Sequence, residues 1–294
     1  LKAFQVFPSF QNSISKTALA KYLRFNYVPA PLSIYEDIFK LEPGCYVQIT
    51  KKNLLDRDLR INQYWSLKET IEHSKKNMIF DEDEIIDRLK SQLKKTISNQ
   101  MISDVPLGAF LSGGIDSSLI VSIMQEQSLQ PIKTFTIGFE DHTYDESKHA
   151  KKVAEHLGTD HTEVIVTAAD AQEVIKLLPD LYDEPFADSS QIPTYLVSKL
   201  AKENVTVVLS GDAGDELFAG YNRYFWAPRI WKKISWLPYF ARKILSKLIY
   251  LLSTNVWNKI GSILAVVSFG GLAINRLGDK AFKLADRLRN VSTI

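Results

Sequence analysis

The sequence has little cysteine: Cys45 is the single thiol in 294 residues. An internal disulfide is excluded, and so is a zinc site built on several thiolates. Such a chain fits a reducing compartment, and the cytoplasm is the expected location. Charge of one sign is also missing. Lys and Arg number 36 against 34 Asp and Glu, a formal net charge of +2. No broad field draws the chain to nucleic acid or to an anionic membrane, so neither is expected as a partner. A long hydrophobic run is absent too. The most apolar late stretch, IGSILAVVSFGGLAI at Ile260–Ile274, falls short of the roughly 20 residues of a bilayer span. Lys259 and Arg276 flank it, and it reads as a buried helix or helix pair. No signal-peptide pattern follows Leu1. The chain opens on Leu rather than Met and stops at LADRLRNVSTI, directly after a helical pattern. It is therefore expected to be a piece of a longer chain. Repeats and low-complexity tracts are lacking.

What is there is the composition of a globular protein, 45% hydrophobic and 24% charged. Residues 1–65 mix short strand-like runs with turns. VPAPLS is an extended loop, and LEPGCYVQIT is a turn at Pro43-Gly44 followed by a strand. Cys45 reads as a small core residue of that strand. The polar stretch Asn53–Asn77 is a candidate linker. A helix starts at Asp81, with Ile85, Ile86, Leu89, Leu93 and Ile97 on one face.

From there strands and helices alternate. VPLGAFL, TFTIGF (Thr134–Phe139), TEVIV (Thr162–Val166) and VTVVLS (Val205–Ser210) are strands. Helices separate them, over Ser117–Gln127, from Asp145 to Gly158, and around Ala169–Leu178 and Pro193–Lys202. After Asp215 the pattern is helical to the end. This order predicts an α/β fold, a parallel sheet with right-handed crossovers. In open sheets of this kind ligands bind beyond the carboxyl ends of the strands. That rule selects SGGIDSS, GFEDHTYDE and GDAGDE.

In SGGIDSS, Gly113 and Gly114 permit a tight turn and close approach of backbone N–H groups. A helix N-terminus beyond them favours an anion. Ser112, Ser117 and Ser118 add hydroxyls. Asp116 would repel a phosphate unless a metal ion stood between them, and Mg²⁺ does this. The loop is not the common G-x-x-x-x-G-K-[ST] nucleotide loop, because Gly114 occupies the lysine position. Taken alone, SGGIDSS is equally a strand-to-helix turn with a capping Asp. GDAGDE brings three carboxylates, Asp212, Asp215 and Glu216, to the end of an apolar strand, which is costly without a cation or a proton-transfer role. Asp141, Asp145 and Glu146 read as caps and surface charge, and His149 and His156 as packing residues. The Phe225–Trp231 aromatics read as helix packing.

The motifs together carry a resemblance. SGGIDSS resembles the SGGxDS pyrophosphate loop of the N-type ATP pyrophosphatases. With TFTIGF, YDES, LYDEPFADSSQIPTYLVSKLA and VLSGDAGDELFAGYNRY, the stretch from about Lys21 to Tyr224 resembles the synthetase domain of glutamine-hydrolysing asparagine synthetases. The resemblance implies an adenine nucleotide alpha hydrolase-like sheet with helices on both faces. A short β-rich remnant precedes it and a helical region follows. It implies three parts: residues 1–65 as the tail of a glutaminase-type domain and linker, 66–225 as the synthetase core, and 226–294 as a truncated helical part.

The resemblance also implies roles. Ser112, Gly113, Gly114, Asp116, Ser117 and Ser118 would hold pyrophosphate. Leu111, Ile137, Ser210 and Gly211 would contact ATP. Asp116 and Asp215 would ligate Mg²⁺. Asp212 stands where the family often has Glu, in the position that assists ammonia attack. The implied reaction adenylates the side-chain carboxylate of aspartate, releases pyrophosphate and transfers ammonia to form an amide. The ammonia would come from glutamine, through a glutaminase domain whose nucleophilic cysteine Leu1 and Cys45 do not match. The family's late lysine on the ATP phosphates is not found before Ile294. A homodimer is compatible with the resemblance. Two rivals stand beside it: a relative that amidates a sugar acid, closes a lactam or acts on a peptide, and a non-catalytic nucleotide-binding fragment.

Overall fold

A computed structural model describes residues 1–11, 13–56, 59–140, 145–267 and 276–291. The chain divides into two compact units, Leu1–Asp212 and Ala213–Ile294.

The first unit begins with a 3-10 turn at Lys2–Val6, helix α1 (Lys16–Phe25), strand β1 (Cys45–Val47), helix α2 (Lys51–Asp56) and strand β2 (Ile61–Gln63). The strand-like runs of the sequence reduce to β1 and β2, paired antiparallel with Tyr46 opposite Asn62. Helix α1 is an addition. Ser15 caps it by accepting the Ala18 N–H at 3.3 Å, and Asn26, left-handed at φ 67°, ends it. It eludes a periodicity reading because Leu19 and Leu23 stay exposed while Ala18 is buried against Val28 and Ile34.

The stretch Asn53–Asn77 is not an irregular linker. Helix α3 (Leu67–Lys76) fills its second half, although none of its residues is buried. Local signals sustain it: the Ser66 hydroxyl accepts the Glu69 N–H, and acidic and basic residues sit at the ends the macrodipole favours. Helix α4 (Glu82–Gln100) starts as expected at Asp81, whose carboxylate accepts the Glu84 N–H at 2.8 Å. Its apolar face is buried at Ile97 and exposed at Ile85 and Ile86.

The α/β core follows as β3 (Leu107–Phe110), α5 (Ile115–Gln127), β4 (Lys133–Phe139), α6 (Ser147–Leu157), β5 (Asp160–Val166), α7 (Ala168–Leu181), α8 (Gln191–Lys202) and β6 (Val207–Leu209). The strands form one parallel sheet in the order β5-β4-β3-β6. Ala109 pairs with Thr134 on one side and Leu209 on the other. Alternation along the strands builds two cores. Ala109 and Leu111 pack with Ile97, Val121, Met124 and Ala150, from α4, α5 and α6. Phe110 and Phe135 pack with Val197 and Ala201 of α8. Helices thus cover both faces, as the sequence predicts. β6 is shorter than VTVVLS, because Thr206 and Val207 both donate to the Pro106 carbonyl. Gly158 ends α6 in the left-handed conformation at φ 69°.

The second unit is helical: α9 (Gly214–Phe218), α10 (Asn222–Ile234), α11 (Tyr239–Tyr250), α12 (Thr254–Val267) and α13 (Leu277–Asn290). Ile249, Ala285 and Leu288 form its core, with Ile234, Trp257 and Ala281 around them. The apolar stretch expected as a helix enters α12 at Ile260, and its residues 268–274 lie outside the described ones. Among the described residues no helix is long and apolar enough to cross a membrane.

Candidate nucleotide site

The chain runs from β3 to β4 and β5 on one side, then returns to β6 on the other side of β3. The order reverses at β3, so the crevice beyond its carboxyl end is the switch point where open sheets bind ligands. SGGIDSS occupies that point.

The loop is braced by its own serines. The Leu111 N–H donates to the Phe135 carbonyl at 3.0 Å, and the Thr136 hydroxyl donates to the Leu111 carbonyl. Ser117 is buried, and its Oγ accepts the Ser112 N–H at 3.1 Å. It also lies 2.9 Å from the Ser112 Oγ and donates to the Gly114 carbonyl at 3.3 Å. The Ser112 Oγ accepts the Gly114 N–H at 3.3 Å. Gly114 caps α5 without a side chain. The first-turn amides of α5 therefore point outward with no intrahelical acceptor.

Two glycines press this turn between its neighbours. Gly113 has φ +80°, and a Cβ there would stand 2.5 Å from the Ala150 nitrogen of α6. A Cβ on Gly211 would stand 2.7 Å from the Ser117 nitrogen and 2.9 Å from the Asp116 carbonyl carbon. The exit of β6 thus lies directly on the first turn of α5. Ser210 donates from its hydroxyl to the Asp212 carboxylate at 2.9 Å.

A cleft of about 240 Å³ opens beside the loop. Leu111, Ser112, Thr136 and Ile137 line it from the sheet side, and Pro193, Thr194 and Val197 of α8 from the other. Phe110, Phe135 and Phe139 make its walls apolar, and Glu146 is its one ionisable lining residue. Such a cavity, apolar with a few hydroxyls, suits a flat heteroaromatic base.

Of the residues singled out from sequence, Leu111, Ser112 and Ile137 line this cleft. Gly113, Gly114, Asp116 and Ser117 form the turn, and Ser210, Gly211 and Asp212 lie at the strand end packed on it. Ser118 faces elsewhere. It lines a groove with Leu119, Ser122, Lys152 and Val153, and its Oγ is buried with no partner among the described residues. Asp215 belongs to the second unit, on α9, where its carboxylate packs over Gly220. Glu216 accepts the Tyr221 hydroxyl at 2.7 Å. Asp145 serves the α6 N-terminus: hydrogen bonds from the Ser147 side chain and backbone hold its carboxyl below the ordinary 3.8. Asp141 lies outside the described residues. Sequence reading missed Thr194, Val197 and the phenylalanine walls. Phe110 has a signal, its alternation with Ala109 and Leu111 along the first strand run, but Phe135 and Phe139 on β4 and Thr194 and Val197 on α8 enter the site only through tertiary packing.

The residues fit a divalent cation in one respect. The Asp116 carboxylate, half-buried in the first turn of α5, has no hydrogen-bond or salt-bridge partner among the described residues. No group of three or more His, Cys, Asp or Glu side chains able to hold a metal occurs among the described residues. That donor set matches Mg²⁺ rather than a caged metal, since Mg²⁺ takes one or two carboxylates and completes its shell with water and substrate phosphates.

An α/β protein with a serine–glycine turn at the switch point of its sheet, and no phosphate-loop lysine, is the class these features define. The family model described as asparagine synthase matches residues 88–280, and the model described as glutamine amidotransferase domain matches residues 1–65. The chain belongs to the asparagine synthase family. It is 40% identical over 243 residues to a putative asparagine synthetase [glutamine-hydrolyzing] 2 of Methanocaldococcus jannaschii, covering 81% of this chain and 44% of that one. It is 37% identical over 215 residues to asparagine synthetase [glutamine-hydrolyzing] 1 of Bacillus subtilis, covering 72% of this chain and 32% of that one. A putative asparagine synthetase of Mycobacterium tuberculosis is 33% identical over 242 residues, 81% of this chain and 35% of that one. The chain thus spans less than half the length of these relatives.

Proposed function

We propose that this chain carries the ATP-dependent amide-forming part of an asparagine synthetase. The observation that carries the reading is the serine-braced turn at the end of β3, with outward amides and the unpartnered Asp116, beside a cleft lined by Leu111 and Ile137. Residues 1–65 are assigned to the end of a glutamine-dependent segment that supplies ammonia, 66–225 to the synthetase core and 226–294 to a helical part.

Leu111 and Ile137 would grip the adenine while Ser210 and Gly211 contact the nucleotide. An oxygen of the aspartate side-chain carboxylate attacks the α-phosphorus of ATP. The bond from that phosphorus to the bridging oxygen breaks, and pyrophosphate leaves with the electron pair. The amides of the α5 first turn and the hydroxyl of Ser112 meet the charge that develops on it. Asp116 would hold Mg²⁺, which would supply charge neutralisation on the phosphates. Ammonia then attacks the acyl carbon, the bond to AMP breaks, and Asp212 takes a proton from the nitrogen. Its side chain already accepts a hydrogen bond from Ser210 at the strand end packed on this turn.

Pyrophosphate release in Mg-ATP and ammonium, with and without aspartate, tests this. Aspartate-dependent release with asparagine formed in step is expected. Release that requires another carboxylate, with no asparagine made, would replace the acceptor. No release with any carboxylate would sink the synthetase reading.

A further inference from the structure

Residues 182–190 join α7 to α8, and they are stitched to residues 26–40, which come from the other matched family segment. Ala187 donates its N–H to the Asn26 carbonyl at 2.8 Å. Glu184 receives two donors: the Ile34 N–H at 2.7 Å on Oε1 and the Lys40 ammonium at 2.5 Å on Oε2. Lys40 also donates to the Val28 carbonyl at 2.5 Å. The Glu184 side chain is 15% exposed and that of Lys40 32%. The other ion pairs between described side chains, Arg88–Glu84, Lys94–Glu126, Lys133–Asp160 and Lys176–Glu173, each have a partner at least 54% exposed. Water and salt screen this pair least, and exposed pairs contribute little.

The stitch continues into the nucleotide cleft. The Gln191 side chain donates to the Phe186 carbonyl at 3.4 Å, and the Ser190 N–H donates to the Asp188 carboxylate at 2.8 Å. The Thr194 N–H donates to the Ser190 carbonyl at 3.0 Å, and Thr194 lines the cleft. We propose that Glu184 is a positioning residue for the nucleotide cleft. Clasped by Lys40 and the Ile34 amide, it fixes residues 182–190 and thereby the first turn of α8, so that docking of the 26–40 segment sets the cleft wall. This rests on the nucleotide reading of that cleft.

The test uses the full chain with Glu184→Ala, Glu184→Gln and Lys40→Met. Hydrogen exchange at the Ala187, Ser190 and Thr194 amides, Mg-ATP affinity and melting temperature are read together. Glu184→Ala is expected to speed exchange at those three amides and to weaken Mg-ATP about tenfold, with exchange at Ser118 unchanged. Glu184→Gln, which still accepts the Ile34 N–H, is expected to fall between Glu184→Ala and the parent. Lys40→Met added to Glu184→Ala is expected to add little, the signature of one coupled pair. Parent-like affinity and exchange in Glu184→Ala would overturn the proposal, and so would faster exchange that extends equally to Ser118. If Glu184→Ala does not fold, Glu184→Gln and Lys40→Met carry the same comparison. Absence of Mg-ATP binding by the parent would defeat the nucleotide reading, and exchange at Thr194 would then decide the clasp by itself.

Discussion

The α/β core and the C-terminal helical unit are held by opposite means. Around the SGGIDSS turn the decisive positions are those without side chains. Gly113 and Gly211 bring backbone within contact of backbone, and Gly108 leaves room for the Phe135 ring. In the unit Ala213–Ile294 a large side chain does the corresponding work. Arg242 is buried at 4% exposure, with its guanidinium 4.9 Å from the Trp231 ring centroid and 5.5 Å from that of Tyr239. It donates to the Leu237 carbonyl at 3.1 Å and the Val291 carbonyl at 2.9 Å. The turn at the end of β3 is built by removing side chains, whereas the helical unit is built by filling space. The first should fail when a methyl is added and the second when one large group is taken away.

The largest effect is expected from adding that methyl. Gly113→Ala or Gly211→Ala should displace the turn, since the added Cβ would stand 2.5 Å or 2.7 Å from backbone nitrogen, and weaken Mg-ATP binding by roughly a hundredfold, the affinity equivalent of the cost of overpacking. Calorimetric titration measures it, and near-parent affinity in both variants would break the comparison. Removing the large group is expected to rank next. Arg242→Ala should destabilise the helical unit by about 2 kcal/mol, from lost charged hydrogen bonds and lost packing on Trp231. Denaturation followed by tryptophan fluorescence reads this, and a shift under about 0.5 kcal/mol, the size of an ordinary surface change, would contradict it. Ser117→Ala sharpens the first half. It takes the brace from Ser112 without touching the cleft, and about 1 kcal/mol of stability should go with it. The smallest effect concerns His161 in β5. Burial pushes its pKa below the ordinary 6.5, and its Nδ1 lies 2.9 Å from the Thr134 hydroxyl. The unfolded chain takes the proton first as pH falls through 6.5, so stability declines from there toward the lower folded value. Melting temperatures at pH 7.5 and 5.5 should differ less in His161→Gln than in the parent. An unchanged difference would remove His161 from the account.

Much of the α/β core is legible because its signals are local. Apolar runs mark β3 to β6, Asp81 and Gly158 mark helix ends, and SGGIDSS announces a strand-to-helix turn. Helices α1 and α3 are less legible, since Leu19, Leu23, Leu67 and Ile71 remain exposed and leave no buried stripe. Within the loop, sequence gives the residue types but not which way they face. Ser112, Ser117 and Ser118 look equivalent in the string. Their backbone positions send one to the cleft, one to the brace and one to the groove beside Lys152. The second wall of the cleft, at Thr194 and Val197, is set by packing across the sheet and has no signal near the loop.

The most direct measurement is Mg-ATP binding to the parent chain and to Asp116→Ala, with folding of both verified by far-ultraviolet circular dichroism. The account predicts saturable, Mg²⁺-dependent binding by the parent and its loss in the variant. Equal affinity in the two proteins would show that the nucleotide does not sit on this loop.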